Sequence, residues 1–144
     1  MKEYFKIIPA VYLVLVTDSI LLMLKRKNTG YHDGEYGLVS GHLNGNESLV
    51  QAMVRETKEE AGITVLPENL KLIHVVNRQS LDSERIDFFF LAKEWAGQIE
   101  NKEPHKCAEL KWFPLDQLPV NTIPEVKQAL ENFKKNNFYS ELNW

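Results

Sequence analysis

An α/β fold, with a mixed β-sheet sandwiched between helices, is predicted by two observations. Runs rich in β-branched residues and leucine recur between turn signals, and two segments with helical apolar spacing interrupt them. Strands and helices therefore alternate irregularly along the chain, as a mixed sheet requires.

Ala10–Val16 and Ile20–Arg26 flank the turn Thr17-Asp18-Ser19. Both runs are apolar on successive residues, so the expectation is two antiparallel strands buried on both faces. Asn28–Glu35 contains Gly30 and Asp33-Gly34 with few apolar residues and reads as a loop. Tyr36–Val39 is a candidate short strand leading into the Gly41–Gly45 loop.

Ser48-Leu49-Val50-Gln51 has capping-box spacing, so a helix should start near Ser48 and run to Ala61, with Gly62 as its stop. Val50, Val54, Thr57 and Ala61 form its expected packing stripe, and Glu56, Glu59 and Glu60 fall on a neighbouring sector. Leu70–Arg78 and Arg85–Lys93 read as a second strand pair around Asp82-Ser83-Glu84, and Leu110–Phe113 as a further strand. Thr122-Ile123-Pro124-Glu125 repeats the capping-box spacing before a last helix whose stripe is Ile123, Val126, Leu130 and Phe133. The Phe88-Phe89-Phe90 run and Trp112-Phe113 are expected in the core.

At 144 residues the chain suits one domain. Its net charge of −3 offers no general attraction to a nucleic-acid backbone. Ala10–Leu24, the one long apolar stretch, is broken by Thr17-Asp18-Ser19, and each half is too short to cross a bilayer. The single Cys107 cannot form an intrachain disulfide, which makes a reducing cytoplasm the expected compartment and a buried thiol the expected state. The aromatic tail 136–144 would dock on its own domain or on a second copy, making a homodimer.

The most informative stretch is Gly41 to Ile63, which ends Arg55-Glu56-Thr57-Lys58-Glu59-Glu60-Ala61-Gly62-Ile63. Three glutamates on one helical turn repel one another, and the negative end of the helix dipole adds to the penalty. A cation nearby would relieve both. Carboxylates alone, with no Cys/His cluster, suit the hard ions Mg²⁺ or Mn²⁺.

Gly41, Glu47, Arg55, Glu56, Glu59, Glu60, Gly62 and Ile63 stand in register with the signature of the Nudix hydrolases, and the chain resembles that family, MutT-like members included. At usages of roughly 5–7% per residue type, a chance match is on the order of 10⁻⁶. Thr57 replaces an aliphatic residue, and Val39-Ser40 stands where many members have Pro-Gly. The resemblance implies a Nudix-type α/β/α sandwich and Mg²⁺- or Mn²⁺-dependent cleavage of a phosphoanhydride in a nucleoside diphosphate linked to another group. It implies metal ligation by Glu56, Glu59, Glu60 and the carbonyl of Ser40, with Glu59 either a ligand or the general base. Arg55 and Glu47 correspond to the pair that ties loop to helix. Glu103, with Glu109 behind it, is either a base supplied by a later loop or a solvated charge. Arg26 and Lys25 are candidate phosphate contacts, and Tyr36 either stacks on a base or packs. His42 is expected to be structural or to face solvent.

The substrate implied is a small nucleotide, with (d)NTP or oxidised dNTP cleaved to NMP and pyrophosphate as the first expectation. ADP-ribose or a nucleotide sugar is the alternative, and a nucleotide sensor without activity is a third reading. The proline of many ADP-ribose enzymes is replaced by Arg78-Gln79, and Leu81 stands where dinucleoside polyphosphate enzymes carry tyrosine.

Overall fold

The computed structural model describes residues 1–144. Eight strands and two α-helices follow one another, with a 3-10 turn at Pro67–Asn69 between α1 and β5: β1 (Ile8–Thr17), β2 (Ile20–Arg26), β3 (Tyr36–Gly37), β4 (Ser40–His42), α1 (Leu49–Ala61), β5 (Lys71–Gln79), β6 (Glu84–Ala92), β7 (Cys107–Pro114), α2 (Pro124–Lys134) and β8 (Tyr139–Leu142). The strands run β3-β2-β1-β6-β5-β8, with β4 added to β1 and β7 to β2. β1 pairs parallel with β6, and β5 with β8, while the remaining pairs are antiparallel. The sheet is therefore mixed, with α1 and α2 packed on it, as the sequence predicts.

β1 alternates between two cores, the consequence of a side-chain period of two. Val11, Leu13 and Leu15 join the cluster containing Ala52, Met53 and Ala61 of α1. Tyr12, Val14 and Val16 face the cluster containing Val126, Ala129 and Leu130 of α2. Phe89 and Phe90 are buried in opposite clusters, so the expected core aromatics serve both layers.

The first hairpin differs from expectation. β1 and β2 pair only at Val16↔Leu21 and Thr17↔Ile20, after which they diverge. β4 takes the place beside Ala10–Tyr12, and β7 pairs with β2 along its length. A polar turn predicts the hairpin tip but not how far its arms stay together. The resulting fork is where the helix carboxylates reach the sheet.

Ser48 caps α1 as expected: its side chain accepts from the Gln51 N–H, and Gln51 returns a bond to the Ser48 N–H. Gly62 closes the helix in the left-handed conformation at φ 71°, and its N–H donates to the Lys58 carbonyl. The packing stripe is displaced from the predicted one: Ala52 and Met53 are buried with Thr57 and Ala61, while Val50 and Val54 are half-buried. At α2 the predicted capping box is absent. Ile123 is the N-cap without a side-chain bond, Pro124 supplies the first helical residue, and the Thr122 hydroxyl donates to Pro119 instead. Glu125 is thereby free to bond elsewhere.

The tail forms β8 against β5 of the same chain, and His74 pins it. Its Nδ1 lies 2.8 Å from the Asn137 carbonyl and its Nε2 2.8 Å from the Ser140 hydroxyl. Burial lowers the His74 pKa, so the native protein resists a proton that the unfolded chain accepts near its ordinary value. The histidine's contribution to stability is thus complete above about pH 6.5 and declines as pH falls below it. The urea midpoint of the native protein is expected to drop between pH 7 and 5 more steeply than that of a His74→Gln variant. Equal slopes would remove His74 from the account.

Candidate active site

The carboxylate helix is held to its loop by Arg55. Its Nε and Nη2 reach Glu47 at 3.0 and 2.8 Å in a bidentate fork, its Nη1 reaches Glu56 at 2.7 Å and Glu59 at 3.3 Å, and Nη2 also donates to the His42 carbonyl at 3.1 Å. Such planar, multidentate pairing suits arginine and not lysine. The Arg55 bond, supported by the Asn44 N–H, holds the Glu47 carboxyl down at about 2. Arg55 itself is pushed upward by the same partners.

Glu60 stands apart from this hub. It accepts a 2.7 Å bond from the Ser40 N–H, and no basic side chain pairs with it. Burial pushes its carboxyl well above the usual range, and the Glu56 and Glu103 charges push the same way. Glu56 is also raised by burial, against the pull of Arg55. Gly41 lies directly beneath the Glu56 carboxylate, leaving no room for a side chain there.

These groups open onto a cleft of about 520 Å³ lined by Glu56, Glu59, Glu60, Ser40, Arg26 and Glu103, among others. No three acidic, histidine or cysteine side chains converge at ligand distance, because Arg55 engages Glu56 and Glu59 while Ser40 engages Glu60. The donor set nevertheless fits a hard divalent cation: it is all oxygen, and the Glu60 carboxyl, bonded only to the Ser40 N–H, has no basic partner. Ser40, which also lines the cleft, meets Glu60 through its N–H.

Two candidate substrate contacts lie elsewhere. On β2, Leu24 and Arg26 line the cleft, and Lys25 between them points to the opposite face, where its ammonium sits 5.7 Å over the Tyr36 ring. Tyr36 is buried, packs edge-on against Phe113 at 4.9 Å, and donates its hydroxyl to Glu109. Tyr36 therefore packs, and Glu109 is turned away from the cleft with it. Glu103 does reach the cleft, its backbone held in a turn by bonds to Asn101, Lys106 and Cys107. Cys107 is buried, and burial raises its thiol to about 11. His42 is exposed, with Nε2 3.1 Å from Arg85.

Sequence reasoning missed the far wall of the cleft. Arg78 and Asp87 meet there at 2.5 Å with almost no exposure, and the Arg78 Nη1 lies 3.6 Å from Glu125 and 3.4 Å from the Tyr31 hydroxyl. The Tyr31 hydroxyl also donates to Glu125. Burial raises the Asp87 carboxyl, and the guanidinium opposes that rise. One signal was available: Asp87 is a lone acid inside Ile86–Phe90, and Arg78 lies diagonal to it across the β5–β6 register, where Val76 faces Asp87.

The cleft is thus an oxygen-rich site on a mixed sheet between helices, suited in its donor chemistry to a hard divalent cation. The sequence model described as the NUDIX domain matches residues 6–136, and the chain belongs to that family. The MutT NUDIX hydrolase from Burkholderia pseudomallei superposes with a TM-score of 0.81 at 28% identity, covering 88% of this chain and 98% of that one. The MutT protein from Methanosarcina mazei Go1 has a TM-score of 0.79 at 23% identity, covering 90% and 94%, a likeness of fold. The NAD-capped RNA hydrolase NudC from Shigella dysenteriae serotype 1 (strain Sd197) is 27% identical over 123 residues, 85% of this chain. The chain spans 45% of that relative's length.

Two outcomes follow from the geometry. A Gly41→Ala methyl overlaps the Glu56 carboxylate, a flexible group that can swing away, so activity should collapse while the melting temperature stays near that of the native protein. Asp87→Ala leaves Arg78 buried without its closest counter-charge and should destabilise the fold by about 3–5 kcal/mol in urea titration. A loss within error of zero would mean that Arg78 finds full compensation from Glu125.

Proposed function

We propose that the protein is a Nudix pyrophosphohydrolase that cleaves a phosphoanhydride bond in a nucleoside diphosphate derivative with the aid of Mg²⁺ or Mn²⁺. The observation that carries this reading is geometric: Glu56, Glu59 and Glu60 line one cleft with Arg26, and Glu60 has no basic side chain paired with it, its one bond coming from the Ser40 N–H.

Glu56, Glu59 and Glu60 would hold the metal. When bound, it supplies positive charge to the phosphate oxygens and lowers the pKa of water. Arg55 and Glu47 keep loop and helix in fixed relation, so the carboxylates are aimed before substrate arrives. Arg26 and Lys106 line the same cleft and offset phosphate charge. Glu103 accepts the proton of the attacking water as its oxygen bonds to phosphorus, and the bond from phosphorus to the leaving phosphate oxygen breaks. Glu59, far more exposed than Glu47 and Glu56, the other two acids that Arg55 holds, is the alternative proton acceptor.

Two substrate classes have separate support. (d)NTP or oxidised dNTP, cleaved to NMP and pyrophosphate, fits the likeness to the Burkholderia MutT hydrolase over nearly all of that chain. ADP-ribose, a nucleotide sugar or a dinucleotide fits the likeness to NudC, named for NAD-capped RNA.

Phosphate and pyrophosphate release should be measured across dNTPs, 8-oxo-dGTP, ADP-ribose and nucleotide sugars with Mg²⁺, Mn²⁺ or chelator. Turnover is expected with metal, to vanish with chelator, and to be lost in Glu60→Gln. Nucleotide binding without any turnover would point to a sensor.

A further inference from the structure

The loop that carries Glu47 contains the chain's one Asn-Gly pair, Asn44-Gly45, and each of the other ten asparagines precedes a residue with a side chain. An asparagine carboxamide is open to attack by the backbone nitrogen of the next residue. Glycine in that place leaves the nitrogen unshielded and the backbone free to turn. Asn44 and Gly45 are both exposed, the Asn44 side chain bonds no protein atom, and the Gly45 N–H has no acceptor. Neither reacting group is engaged.

Asp33-Gly34 is equally exposed and offers the same ring closure, but it is locked. The Asp33 carboxylate accepts from the Thr29 and Gly30 N–H groups and from the Thr29 hydroxyl, and the Gly34 N–H donates to the Arg26 carbonyl at 2.8 Å. Attack there would first have to break those bonds. At Asn44 the hydrogen bond at stake is a different one: its own N–H donates to Glu47 Oε1 at 2.8 Å, the same oxygen that Arg55 Nη2 reaches at 2.8 Å.

We propose that Asn44 is a site of spontaneous modification that ages the protein through its Arg55 hub. The Gly45 nitrogen gives its proton to solvent base and attacks Asn44 Cγ; the new C–N bond closes a succinimide, and the carboxamide nitrogen leaves as ammonia. Water then opens the ring at either carbonyl. Opening at the carbonyl on Cα gives isoaspartate, in which the chain runs through the former side chain with one extra methylene, and a free carboxylate stands three residues from Glu47. The longer loop withdraws the Asn44 N–H from Glu47, and the new charge opposes the carboxylate that Arg55 holds. The modification stands whichever substrate the cleft takes.

The purified full chain, held at mildly alkaline pH and physiological temperature, is followed by peptide mapping that resolves asparagine, aspartate and isoaspartate. Conversion is expected at Asn44 ahead of every other asparagine and of Asp33, with isoaspartate the major product, and none at this position in Asn44→Gln. Conversion no faster at Asn44 than at Asn46 or Asn136 overturns the site. The link to Arg55 is read by urea titration of fresh and aged protein, each in the native and the Glu47→Gln background. Ageing is expected to lower the native midpoint and to leave that of Glu47→Gln, where the hub is already cut, unmoved. An equal fall in both backgrounds, or none in the native protein, overturns the link. If Glu47→Gln fails to fold, hydrogen exchange of the Arg55 Nε–H decides: it is expected to be faster in aged protein, and an unchanged rate overturns the link.

Discussion

Three carboxylates on the last turns of α1 would repel one another and the helix's own C-terminal dipole, and Arg55 is the group that lets the helix form with them in place. One guanidinium joins Glu47 in the loop to Glu56 and Glu59 on the helix and closes on the His42 carbonyl. Loop and helix therefore move as one body. The repulsion that remains is concentrated at Glu60, where burial, and the charges of Glu56 and Glu103, make the ionised form unfavourable. Stability has been left incomplete at Glu60, the one helix acid that Arg55 does not reach.

Why the carboxylates reach the sheet at all is a matter of topology. β1 and β2 leave their shared turn together and then part, so β4 can lie against Ala10–Tyr12 and present Ser40 and Gly41 to the helix. Gly41 permits the closest approach of loop to side chain in the site, and the Ser40 N–H supplies Glu60's one protein hydrogen bond. β2, released from β1, pairs with β7, whose first residue Cys107 lies just beyond the Glu103 turn. A single divergence in the sheet thus brings the helix and a late loop to the same cleft.

The opposite wall is built on a buried ion pair whose partners come from adjacent antiparallel strands. Arg78 and Asp87 are deeply buried, so separating them is costly, and the pair holds the far wall of the cleft in one arrangement. Glu125 joins them because α2 begins with Pro124 and does not need its carboxylate for a capping box. Tyr31 then crosses from a loop to Glu125, connecting Arg26, which lines the cleft, to the opposite wall. Local capping, strand register and site shape are linked through that one carboxylate.

The acidic constellation, its supporting arginine and both helices were legible in the sequence, because helical spacing, capping signals and a fixed run of charges are local properties. Ser48, Gln51 and Gly62 do at α1 what their spacing predicts. Lys25 and Tyr36 were not assignable in the same way: a residue's place in a strand does not say which face will meet the cleft, and pairing with β3 and β7 settled that. Glu103 was a loop charge until folding carried it across more than forty residues of sequence to the helix acids. Arg78, Asp87, Glu125 and Tyr31 come from four separate segments, and no local pattern joins them. By itself the sequence determined that three carboxylates crowd the last turns of α1 and which arginine lies beside them. Only the tertiary structure decided what lies across from them, since burial and strand register, not composition, choose which distant charges must meet.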